Sequence, residues 1–105
     1  MSVFAEAIDD LFADPNLARD ALWRAGGTGV AVPVRIVLRQ PDRIGSFGET
    51  RLLAATTVVE VRTAEVTMLV EGDAFEIDGE TFVVQGEPVR DSERLVWTAE
   101  LRKVS

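Results

Sequence analysis

Histidine and cysteine are both absent from this 105-residue chain. Without cysteine there can be no disulfide, no thiolate nucleophile and no zinc–thiolate site. Without histidine the usual general base and the commonest metal ligand are missing. Ser2, Ser46, Ser92 and Ser105 therefore have no imidazole to activate them, and nucleophilic catalysis has no visible machinery. Lysine is scarce as well: Lys103 stands alone, and acids outnumber bases 18 to 11, for a formal charge of −7. Such a surface repels phosphate backbones, so stable non-specific DNA binding is not expected, whereas DNA moving past without adhering is compatible with it. Long apolar runs are missing too. Leu52 to Ala55 and Thr56 to Val59 are far too short to span a bilayer. The opening MSVFAEAIDD has acids where an export signal needs a basic region, so no such signal is expected.

What is present is ordinary for one globular domain: 47% hydrophobic residues, 28% charged, and a length sufficient for a modest core. Residues 3 to 13 place Phe4, Ala7, Ile8, Leu11 and Phe12 at helical spacing. Asp14-Pro15 stops that helix and suits the start of another, because aspartate caps and proline fits a first helical position. A second short helical segment is thus expected over NLARDALW, with Trp23 either joining its face or exposed. The glycines of residues 25 to 29 end the helical part and read as a hinge.

From Val30 the period becomes two. Val30, Val32, Val34, Ile36 and Leu38 share one face of a half-buried strand, and Pro33 argues for an edge or a bulge. Residues 40 to 54 break the pattern and read as a long loop. Its apolar Ile44 and Phe47 either fold back on the core or await a partner. Val59 and Val61 share the inner face of the next strand. Phe75 and Ile77, then Phe82 and Val84, form a hairpin about Asp78-Gly79, the strongest short hairpin signal. Gly86 to Asp91 is expected to turn the chain again, and Leu95, Trp97, Ala99 and Leu101 give the last strand one apolar face. The fold class is therefore mainly β: a small antiparallel barrel or sandwich of about five to seven strands with an N-terminal helical arm.

No site stands out. Asp73, Asp78, Glu80, Glu87 and Asp91 cluster in sequence, yet their spacing departs from a calcium loop, and they read as solvated hairpin tips. GGTG follows a helical stretch instead of a strand, the wrong order for a dinucleotide fingerprint, and lacks the lysine of a phosphate loop. The arginines are spread among acids and read mostly as surface ion pairs; Arg43 and Arg51, on the long loop, are candidates for contacts between chains. No cofactor, no metal and no enzymatic activity are expected.

The order of parts resembles the small head–tail joining proteins of tailed phages, the head-completion, neck or stopper proteins of lambda-like phages, prophages and gene-transfer particles. The similarity runs through IDDLFADPNLARDA, VPVRIVLRQPD, TTVVEVRTAEV, EGDAFEIDGETFVVQGEPVRD and ERLVWTAEL. It implies a structural virion protein made in the bacterial cytoplasm. Such a protein forms a ring, commonly six-fold, that closes the filled head below the portal or adaptor and docks the tail terminator or other tail proteins. DNA would pass through the channel without specific binding, and no membrane is involved. In that layout residues 1–24 are a helical arm that the barrel can lose without unfolding, 25–29 the hinge, and 30–105 the barrel with its loop at 40–56. Phe4, Ile8, Leu11, Phe12, Trp23, Arg43, Ile44, Phe47 and Arg51 are the candidate contacts with neighbouring subunits or partners. A tail-terminator or other tail ring component is the alternative of the same kind. A small nucleic-acid-binding barrel is the alternative of another class; it would need basic grooves and exposed aromatics.

Overall fold

A computed structural model describes residues 3–39 and 57–104. One helix, α1 (Val3–Ala13), precedes six strands: β1 (Arg19–Arg24), β2 (Val32–Arg39), β3 (Thr57–Arg62), β4 (Ala74–Ile77), β5 (Glu80–Arg90) and β6 (Val96–Lys103). The strands close in the order β1-β2-β3-β6-β5-β4, every neighbouring pair antiparallel. The mainly β class expected from the alternating pattern is what forms, and closure makes it a barrel, not a sandwich.

The period of two explains the interior. Val61 lies opposite both Ile36 and Trp97, and Val59 opposite Leu38 and Ala99, so successive inward residues stack rung on rung. Ile36, Val59, Val61 and Phe75 have no exposed surface, and Ile77, Val84 and Leu101 have almost none. Phe82 and Trp97 complete the same cluster, and the Trp97 Nε1–H donates to the Val66 carbonyl at 2.8 Å, so its one polar atom is satisfied inside. Asp78 (φ 52°) and Gly79 (φ 82°) form the two-residue turn between β4 and β5, with Ile77 opposite Glu80.

Pro33 lies where β2 outruns β3 and has only Leu22 of β1 beside it. The Arg35 amide, two residues on, points to the side β3 has vacated and donates to Glu65 Oε1 at 3.0 Å. A missing N–H on that side costs nothing, which is the local edge a proline requires.

Several expectations are corrected. Residues 19–24 are a strand, not the end of a second helix. Asp14 does cap a turn, accepting the Asn16 amide on Oδ1 and the Leu17 and Ala18 amides on its carbonyl, but only one turn forms. Beyond it, RDALWR alternates as well as it spirals, and pairing with β2 on one side and β4 on the other decides for strand. The glycines 25–29 are accordingly a connection between two barrel strands, held by Arg24 on the Gly29 carbonyl and the Gly29 amide on the Ala25 carbonyl, and not a hinge to an arm. It follows that β1 belongs to the barrel, and an arm ending at residue 24 cannot be removed without opening it. Gly86 does not turn the chain. Its φ of 78° serves a bulge inside β5, where the register with β6 shifts between Gln85 and Val89. The turn comes later: the Asp91 carboxylate accepts the amides of Leu95 (2.7 Å) and Val96 (3.0 Å). Finally, the inner face of β2 begins at Val34. Val32 is at the surface, Val30 precedes the strand, and Leu95 is a half-buried residue of the turn before β6.

Candidate functional site

The antiparallel order sends the connections to two opposite ends. One end carries residues 25–31, 63–73 and 91–95; the other carries the Asp78-Gly79 turn, the entry to β1 and the exit of β6. The first end exposes several apolar side chains beside charged ones. Val30 is 83% exposed, Met68 63% and Val89 60%, with Val70 and Val32 also at the surface. A groove of about 680 Å³ runs between Met68, Val70 and the β5 bulge at Pro88 and Val89. Trp97 lines it, covered by the Arg90 guanidinium 5.0 Å from the ring centroid. Glu71, Glu87, Asp91 and Arg94 also line the groove, giving it a charged margin. The second end is charged: Arg19 pairs with Asp78 at 2.9 Å and Lys103 with Glu80 at 3.1 Å, although Leu17 and Val104 are exposed there.

Of the five acids read as hairpin tips, four are at the surface and Asp73 is not: it is 1% exposed. Its side chain accepts hydrogen bonds from the Trp23 indole, the Gly26 amide and the Val70 amide, at 2.8–3.1 Å. No local signal reveals this, because two of its donors lie some fifty residues away; the sequence clue is a Gly-Asp pair immediately before an alternating strand. Asp91 remains solvated. Desolvation raises its pKa, and the amides of Val96, Leu95 and Glu93 lower it further than that, so its carboxyl sits below the ordinary value.

Helix α1 lies across the barrel wall at its C-terminal half. Phe12 is 1% exposed, under the Arg62 guanidinium at 5.1 Å. The Arg35 Nε–H donates to the Phe12 carbonyl, and Arg62 also pairs with Asp9 and Glu65. Ile8 and Leu11 are half-buried, while Val3 and Phe4 are well exposed. Of the residues expected to meet partners, then, Phe4 is at the surface, whereas Phe12 and Trp23 are drawn inward: Phe12 anchors the helix, and Trp23 packs on the core with its indole on Asp73. Arg43, Ile44, Phe47 and Arg51 lie outside the described residues.

A second groove, about 550 Å³ on the wall beside Leu22 and Pro33, has Asp20, Glu65, Glu76 and Asp78 around it. Each is paired with an arginine, so the rim is electrically balanced. Among the described residues no group of three or more acids is placed to hold a metal ion, and no helix is long and apolar enough to cross a membrane.

Comparison with known families matches the chain, over residues 1–101, to a family described as the phage head–tail attachment protein. The chain belongs to that family. It is a structural protein of the phage head–tail interface, and its neighbours are other head and tail proteins. Comparison with individual curated proteins finds no match. The attachment family is a structural one. For an attachment protein the features that matter are surfaces, and among the described residues the two unlike barrel ends and the exposed start of α1 are candidates.

Proposed function

We propose that the chain assembles as a ring at the head–tail interface, closing the filled head below the portal or adaptor and docking the tail, with its apolar end packed against a neighbouring ring of the stack. The observation that carries this reading is that Met68, Val70 and Val89 are exposed around one groove at one end of the barrel, with Val30 exposed on a connection at the same end. Exposed apolar side chains so collected, with a groove among them, are expected at a protein–protein contact. The opposite end, fringed by ion pairs, suits a different neighbour. A protein that joins two unlike structures needs two unlike faces. The start of α1, through Phe4 and Ile8, is the contact toward an adjacent subunit, and residues 40–56 supply the remaining contacts, with Arg43 and Arg51 pairing across chains. Six copies are what the family resemblance suggests. The acidic balance of the chain suits a channel that lets DNA pass without holding it.

Native mass spectrometry and negative-stain imaging of the isolated neck complex test the reading. A closed ring containing this chain, between the portal side and the tail, is the expected result. A complex that holds the chain as single copies, or only inside the tail tube, would overturn it.

A further inference from the structure

We propose that Asp73 is the positioning residue of the apolar end: its buried carboxylate clasps the 25–31 connection to the 63–73 loop, and so sets where Val30, Met68 and Val70 stand for docking. The inference rests on the proposed reading of that end as a contact surface. Asp73 Oδ1 accepts the Gly26 amide at 2.8 Å. Oδ2 accepts both the Trp23 indole and the Val70 amide, each at 3.1 Å. One carboxylate thus reaches the end of β1, the connection that leads to Val30, and the backbone of the exposed Val70 itself. Its own main chain is fixed on both sides, by its amide on the Val70 carbonyl (3.1 Å) and by the Val84 amide on its carbonyl (2.8 Å).

The two segments also touch backbone to backbone. Gly27 has φ +84°, and a Cβ there would come within 3.2 Å of the Gly72 carbonyl oxygen. A side chain at Gly27 would therefore meet backbone strain and a tight contact, so the close approach of the two loops favours glycine there. The position of the clasp adds to its effect. It sits where the ladder that closes the barrel ends, with Arg24 opposite Ala74 and Trp23 opposite Phe75, and that ladder extends only to Leu22 opposite Glu76.

A carboxylate suits this place and an amide does not. Every side-chain partner of Asp73 is a donor, and a carboxylate is acceptor only. An asparagine would turn its own N–H₂ toward either the Gly26 amide or the indole and Val70 amide, leaving donors facing donors in a buried space. A buried charge is tolerated here because oriented N–H groups replace its water.

The test is amide hydrogen exchange and in vitro joining of filled heads to tails, on the full chain carrying Asp73→Asn, Trp23→Phe, Gly27→Ala or Val70→Asp. With Asp73→Asn, exchange at Gly26 and Val70 should rise by roughly tenfold or more, the loss of a hydrogen bond to a charged group. Protection in β2, β3 and β6 should persist, and joining should fall at temperatures where circular dichroism still shows the barrel. Trp23→Phe keeps both amide bonds and should shift both readouts less. Should Asp73→Asn not fold, Gly27→Ala, which pushes the loops apart at Gly72, carries the test by the same criteria. Unchanged exchange at Gly26 and Val70, or loosened loops with joining at the wild-type level, would overturn the positioning role. Val70→Asp, with exchange normal, separates the two readings: if it joins as well as wild type, the docking surface is wrong while the clasp stands.

Discussion

At one end of the barrel, Val30, Met68, Val70 and Val89 face solvent around a buried carboxylate; at the other, Arg19, Asp78, Lys103 and Glu80 pair off in the open. The same six strands feed both ends, so the contrast lies in the connections together with the strand termini they join. Exposed ion pairs keep a surface soluble at little energetic gain. Exposed valines and a methionine do the opposite: they offer hydrophobic free energy that is realised only when something covers them. At the first end apolar side chains stand uncovered in the single chain, whereas the named charges at the other are paired with one another.

The largest expected effect comes from deleting residues 1–24. This removes β1, leaves β2 and β4 unpaired along one edge each, and should abolish cooperative thermal unfolding; deleting 1–13 alone, which removes only α1, should leave a cooperative transition at lower temperature. Next is Phe75→Ala. Its side chain has no exposed surface, and the loss should be about 3–5 kcal/mol by chemical denaturation. Phe4→Ala, a like truncation on a residue 57% exposed, should stay within about 0.5 kcal/mol. At the charged end, a double-mutant cycle on Arg19 and Asp78 should return a coupling of about 0.2–1 kcal/mol, because both partners are well solvated. The smallest effect is at Asp91. Its folded carboxyl is depressed below the unfolded value, so its contribution is present above the unfolded pKa and lost as pH falls through the folded one. An acid titration of the melting temperature should therefore drop less steeply in Asp91→Asn than in wild type below about pH 4, where carboxylates titrate.

The barrel was largely legible in the sequence because half-buried strands announce themselves at short range. Val59–Val61, Phe75–Ile77 and Phe82–Val84 alternate cleanly, and Asp78-Gly79 names its own turn. What escaped was decided at long range. RDALWR satisfies either period over six residues, and only its pairing with β2 and β4 selects the strand. Gly86 offers the positive φ of a turn and spends it on a bulge, which depends on the strand alongside. Asp73 looks like any acid in a turn until Trp23 and Gly26, distant in sequence, are brought against it. The apolar end was illegible for the same reason: Val30, Met68 and Val89 belong to three separate segments and reach the same end only through the strand order of the barrel.

Quantitative head–tail joining by the Met68→Asp, Val70→Asp double variant tests the central claim most directly, provided its circular dichroism and core-strand exchange match wild type. Joining is expected to fall by about tenfold or more, since charges placed in an apolar contact forfeit at least the energy of one contact hot spot. Wild-type joining by that folded variant would show that the apolar end meets no partner, and would contradict the account.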